Sequence, residues 1–204
     1  MKSIAILLVP GAQPLEVVGP YEVFSVADDL ARRPEWGGTP SFRPVLVAPR
    51  PGPVACRYGL VLEPHAVLAD DGPLYDAIIV PGGAIGDSLA DASLHQWIRR
   101  HALAEAEHLV ASVCYGAFML ASAGVLDGRA ATTHWEDTAD LQRQHPRVDV
   151  REHRRVVDEG RIVTSAGNTA GLDLALGLVA RWHGEVLASR TARQLEYTRQ
   201  VASA

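Results

Sequence analysis

The sequence is poor in cysteine: Cys56 and Cys114 are its two, in a chain of 204 residues. Two are too few for the disulfide framework of a small secreted domain. Long apolar runs are also missing. The N-terminal run Ile4 to Val9 stops at Pro10-Gly11. It is short for a signal-peptide core, and no small-residue cleavage site follows it cleanly. No stretch approaches the length of a membrane span. Positive charge is not in excess either. The net charge is −5, which leaves no basic face for general nucleic-acid binding. Metal motifs are absent: there is no HExxH, no CxxC and no acidic calcium-type loop. The expectation is a soluble, reduced, cytoplasmic protein with no cofactor, no bound metal, no nucleic-acid partner and no membrane association.

What the chain does have is apolar material, 48% of its residues. That supplies the core of one α/β domain over residues 1–204, with no repeat, low-complexity tract or linker to divide it. Ser3 to Val9 reads as a strand buried on both faces. Gly19-Pro20 opens a helix on which Val23, Phe24, Val26, Ala27 and Leu30 recur at helical spacing. Phe42 to Ala48 is a second strand, and Val54 to Leu62 a short hairpin around Tyr58-Gly59. Asp76 to Val80 is a third strand, Ala92 to Glu107 a helix, and His108 to Val113 a fourth strand. Gly116 to Ala123 is a short helix stopped by Gly124. Ala130 to Thr133 reads as a strand and Trp135 to Gln144 as a polar helix. A hairpin turns at Glu159-Gly160, and helices follow over Asn168 to Trp182 and Glu185 to Tyr197. Strands alternating with helices predict a mostly parallel sheet between helices, with a small β-hairpin.

The chemistry concentrates at Ser112-Val113-Cys114-Tyr115-Gly116. A strand enters and a helix leaves without an intervening loop. Such a turn needs small residues two before and two after its apex, and Ser112 and Gly116 supply them. A thiol there is a candidate nucleophile, and the helix N-terminus is expected to favour thiolate. The bland reading is a buried structural cysteine. Ligands of parallel sheets sit at the carboxyl ends of the strands, and three further segments belong to that edge. Pro81-Gly82-Gly83 offers backbone N–H groups, so that Gly83 with Tyr115 can form an oxyanion hole. Glu16, just past the first strand, can share a proton with the thiol, or can be a solvated or capping residue. His134, after Thr132-Thr133, can be a base or donor to a ligand, or a packing residue.

Taken together, these segments resemble a known family. The signatures are Leu15-Glu16-Val17-Val18-Gly19-Pro20, Ile79-Val80-Pro81-Gly82-Gly83, Ser112-Val113-Cys114-Tyr115-Gly116-Ala117, Leu120 to Trp135, Thr164-Ser165-Ala166-Gly167 and Thr169 to Leu176. They look like the ThiJ/PfpI superfamily, also described as class I glutamine amidotransferase-like, and span nearly the whole chain. The resemblance implies a flavodoxin-like fold. Within the superfamily the chain is most similar to isonitrile hydratases and to the sensor domains of AraC-type transcription regulators. The first implies a lyase that adds water to an isonitrile to give an N-substituted formamide, with Cys114 as nucleophile. Glu16 falls where the hydratases carry Asp, and Tyr115 where they carry Thr. The second implies a ligand-binding or stress-sensing module without turnover. Peptidase activity is not expected, because Tyr115 stands where some peptidase-like members place a His. Residues Thr198 to Ala204, after the last expected helix, are too few for a DNA-binding domain. The partner implied is a small-molecule substrate or ligand, and the assembly implied is a homodimer.

Overall fold

The computed structural model describes residues 1–69, 71–104 and 107–200. Its strands are β1 (Lys2–Leu7), β2 (Phe42–Ala48), β3 (Val54–Ala55), β4 (Val61–Leu62), β5 (Ala66–Val67), β6 (Ala77–Val80), β7 (Leu109–Val113), β8 (Ala130–Ala131), β9 (Asp149–Val150), β10 (Val156–Asp158) and β11 (Ile162–Ser165). Its helices are α1 (Pro14–Ala31), α2 (Ala92–Leu103), α3 (Gly116–Ser122), α4 (Thr138–Gln144), α5 (Ala170–His183) and α6 (Glu185–Gln194).

The main sheet runs β10-β11-β7-β6-β1-β2-β5. Six of its strands are parallel, and β10 is antiparallel to β11 at one edge. The five central parallel strands, taken in chain order, lie 2-1-3-4-5, the flavodoxin-like arrangement. Helices α1, α5 and α6 pack together on one face, and α2 and α3 cover the other. Strands buried on both faces must be apolar on both faces. Ile4, Ala5, Ile6, Ile78, Ile79, Val80, Val110 and Ala111 accordingly have no exposed surface. Short β3 and β4 form the antiparallel hairpin predicted around Tyr58-Gly59. The hairpin at Glu159-Gly160 is also present, with Gly160 at φ 78°.

Several boundaries differ from expectation. Helix α1 begins at Pro14, not at Gly19-Pro20. Pro14 takes the first-turn position where a missing N–H costs nothing. Pro20 is tolerated inside the helix, where it forgoes one hydrogen bond and is buried. Helix α2 was expected to reach Glu107 but ends at Leu103; Glu105 and Ala106 lie outside the described residues. Strand β8 stops at Ala131 because Thr132 and Thr133 bond elsewhere. Thr132 N–H donates to Thr164 Oγ1 at 2.9 Å, and Thr133 Oγ1 to the Cys114 carbonyl at 2.7 Å. The polar helix starts only at Thr138, behind a turn in which Asp137 N–H donates to the His134 carbonyl. Among the described residues, no helix is long and apolar enough to cross a membrane.

Candidate active site

Strand β7 is buried at all five positions and delivers the chain to Cys114, whose φ is 56°. A non-glycine residue in the left-handed region costs about 1 kcal/mol or more. Backbone bonds hold it there. Cys114 N–H donates to the Ser165 carbonyl at 3.0 Å, and its carbonyl accepts from Thr133 Oγ1 and from Ala117 N–H. The expected need for small neighbours is real. A Cβ on Gly116 would lie 2.1 Å from the Val80 carbonyl oxygen, and one on Gly82 2.4 Å from the Tyr115 nitrogen. Ser112 is fully buried, and its hydroxyl has no partner among the described residues.

Glu16 is not in a loop. It lies in the first turn of α1 and has no exposed surface. Its Oε2 accepts from Gly82 N–H at 2.7 Å and its Oε1 from Asn168 N–H at 3.1 Å. Burial pushes its carboxyl above the ordinary carboxylate range. The two N–H donors and an interaction with the Cys114 thiol work against burial and do not overcome it.

The expectation of a resting thiolate is corrected by the geometry. Burial pushes the Cys114 thiol well up, and the negative charge of Glu16 pushes it further. Tyr115 N–H, bonded to the sulfur, opposes this too weakly. Helix α3 has only seven residues, so its dipole is small beside the loss of water. Carboxyl and thiol therefore titrate as a coupled pair, which holds one proton between two groups before losing both.

Both groups line a cavity of about 350 Å³ at the carboxyl ends of the strands. Gly83, Tyr115 and His134 line it too, so every residue singled out in the sequence meets there. Gly83, at φ 111°, bridges Ala12. The flanking bonds come from Gln13 and Ala84 N–H, and Gly83's own N–H has no protein partner among the described residues. A Cβ on Gly83 would sit 2.5 Å from the Gln13 nitrogen, so glycine is required. Tyr115 stacks on Phe118, with ring centroids 4.1 Å apart. His134 Nδ1 accepts from Glu136 N–H at 3.4 Å and lies 3.7 Å and 3.8 Å from the carboxylates of Glu136 and Asp137. That arrangement leaves Nε2 as the protonated nitrogen of the neutral ring. The imidazole packs over Gly167, where a Cβ would lie 2.3 Å from its Cδ2.

Sequence reasoning missed Arg57, Tyr58, Asp137 and Asn168, which also line the cavity. Asn168 carried a faint signal: asparagine just before a helix tolerates positive φ, here 47°. Of the two N–H groups expected to form an oxyanion hole, that of Tyr115 is bonded to the Cys114 sulfur, while the neighbouring Gly82 N–H serves Glu16. No cluster of three or more His, Cys, Asp or Glu able to hold a metal occurs among the described residues. The assembled groups are a thiol, a buried carboxyl at its side and an N–H donor without a protein partner among the described residues.

Residues 2–181 match the model of the DJ-1/PfpI family. An isonitrile hydratase from Pseudomonas putida is 37% identical over 196 residues, which cover 96% of this chain and 78% of the enzyme. The HTH-type transcriptional regulator GbdR from Pseudomonas aeruginosa is 35% identical over 141 residues, 69% of this chain. Those residues amount to 37% of the regulator's length, so the likeness is to one part of it. The crystal structure of Drosophila melanogaster DJ-1beta superposes with a TM-score of 0.80 at 21% identity, over 97% of this chain and 98% of that one.

Proposed function

The chain belongs to the DJ-1/PfpI family, and from that premise we propose that it is a cysteine-dependent hydratase acting on an isonitrile or a similar small electrophile. The observation that carries the proposal is the pairing of Cys114, held at positive φ, with fully buried Glu16 in one cavity. The similarity to isonitrile hydratase supports the choice of reaction.

Glu16, as carboxylate, takes the Cys114 proton and passes it to the terminal carbon of R–N≡C. The sulfur bonds to the same carbon as one π bond is lost, giving the thioimidate R–N=CH–S–Cys114. Water then adds to that carbon; one of its protons reaches nitrogen through Glu16, and the C–S bond breaks. Sulfur leaves with the second proton, releasing R–NH–CHO and restoring the thiol. A carboxyl raised by burial suits this work, because a higher pKa makes it a better proton acceptor from the thiol while it can still return the proton. Gly83 N–H receives the charge developing on oxygen. His134 Nε2–H anchors the substrate, and the Tyr115 ring walls the cavity.

Hydration of a panel of isonitriles, followed as formamide release, tests this. Wild type should turn over at least one, and Cys114→Ala should lose at least about a thousandfold in rate. Absence of any Cys114-dependent turnover sinks it. The second reading is a ligand-binding or sensing module, favoured by the similarity to regulators and by the bulky Tyr115 lining the cavity next to the cysteine in sequence. It predicts a stoichiometric adduct on Cys114 after mild peroxide, read by intact mass, without turnover. We extend the family expectation of a homodimer to this chain; sedimentation should give twice the monomer mass.

A further inference from the structure

Glu16 is held from two sides. Gly82 belongs to the sheet edge, but the second donor, Asn168, sits in a tight turn between β11 and α5 with φ 47°. That turn is tied to a polar network outside the cavity. Asp173, on α5, is 4% exposed. Arg155, just before β10, donates from Nε to Asp173 Oδ2. Its Nη2 reaches Thr169 Oγ1 at 3.1 Å and the Tyr197 hydroxyl at 3.0 Å. Tyr197 lies beyond α6; its hydroxyl donates to Asp173 Oδ2 at 2.9 Å. Gln200 N–H donates to the other carboxylate oxygen, also at 2.9 Å. Arg155 also offers its carbonyl to Ala166 N–H at 2.9 Å, on the near side of the turn. Both flanks of Asn168 are thus fixed by one arginine, and that arginine by a buried carboxylate and a phenol.

We propose that Arg155, Asp173 and Tyr197 are positioning residues for Glu16: they fix the turn at Asn168, whose N–H holds the carboxyl beside Cys114. The segment from Tyr197 to Gln200 thereby acts on the cavity from outside it. A hydrogen bond to an ion is directional and falls off steeply with angle, so loosening the turn weakens this donor before any cavity side chain moves. The proposal rests on the Glu16–Cys114 pairing and not on any particular substrate.

The test is the pH–rate profile of iodoacetamide alkylation, with the adduct located on Cys114 by peptide mass. The other titratable groups around the pair are Tyr115, His134, Glu136, Asp137, Arg57 and Tyr58; the variants change none of them. Losing a full hydrogen bond to a carboxylate corresponds to about one to two pH units. Tyr197→Phe and Arg155→Gln should therefore move the limb governed by Glu16 to higher pH by at least about half a unit. Tyr197→Phe keeps the ring and its packing, so a folded variant is secured. Arg181→Gln is the matched control. Arg181 also clips α5 to the β10–β11 hairpin, through Asp158 and the Gly160 carbonyl, but it has no route to Asn168. Its profile should superimpose on wild type. The proposal is overturned if Tyr197→Phe and Arg155→Gln leave the limb in place, or if Arg181→Gln moves it equally. A profile unmoved by Glu16→Gln removes the pairing itself, and the network's role with it.

Discussion

Two carboxylates at opposite ends of the same sheet have opposite fates. Asp76 precedes β6 at the amino edge, and Glu16 lies past the carboxyl edge. Both accept backbone N–H bonds: Asp76 from Ser3 at 2.8 Å, Glu16 from Gly82 and Asn168. Partial burial alone would raise Asp76, but Ser3 N–H, Lys2 Nζ at 3.0 Å and the Ser3 hydroxyl outweigh it and hold it below its ordinary value. Among the described residues no cationic side chain bonds Glu16, and it has no exposed surface, so burial wins. With backbone hydrogen bonds of similar length on both, the deeper burial of Glu16 and the Lys2 ammonium bonded to Asp76 make the difference. Asp76 is thus held towards its charged form, and Glu16 towards its protonated form.

The largest expected effect separates these roles. Glu16→Gln should lower isonitrile turnover by about 10²- to 10⁴-fold, while Asp76→Asn should leave turnover within about twofold. Equal losses would erase the distinction. Stability should respond the other way as pH rises. A carboxyl raised on folding opposes the folded state above its unfolded pKa. Wild type should therefore lose stability relative to Glu16→Gln as pH climbs from about 4.5, the ordinary value of the group. Asp76, lowered on folding, contributes stability that is present at neutral pH and lost in acid as it protonates.

A third buried group extends the comparison to a base. His101 has no exposed surface. It accepts from Tyr75 N–H through Nε2, and its Nδ1–H donates to the Trp97 carbonyl. Burial holds it down at about 4. The unfolded chain binds its proton first, so stability is complete above about pH 6.5 and falls by roughly 3 kcal/mol towards pH 4. Urea midpoints at pH 7 and pH 4.5 check this. Next in size, Gly116→Ala drives a Cβ to 2.1 Å from a backbone oxygen and should cost about 2–3 kcal/mol together with most Cys114 reactivity. Asp76→Asn should cost about 1–2 kcal/mol in chemical denaturation. The smallest effect is Gly124→Ala. That site is open apart from Asp127 at 3.9 Å, with φ 74°, so about 1 kcal/mol or less is expected.

The strands and helices were legible because their signals are local. β7 is five buried residues in a row, and the elbow needs small residues at two fixed offsets, so Cys114 was found from its neighbours alone. Helix α1 was misread by five residues because both Pro14 and Pro20 carry a helix-start signal, and only packing chose between them. Strand β8 was overextended because the bonds that end it run to Thr164 and Cys114, which are distant in sequence.

By itself the sequence determined most of the order of elements, the strand-to-helix turn at Cys114 and five residues of its cavity: Cys114, Glu16, Gly83, Tyr115 and His134. These follow from hydrophobic periodicity and side-chain size, which act over a few residues. The tertiary structure alone decided the protonation of Cys114 and Glu16. Gly82 is 66 residues from Glu16 and Asn168 is 152 residues away, and the exclusion of water from both thiol and carboxyl depends on the whole fold closing over them. Desolvation is a property of the assembled interior, so no local motif encodes it.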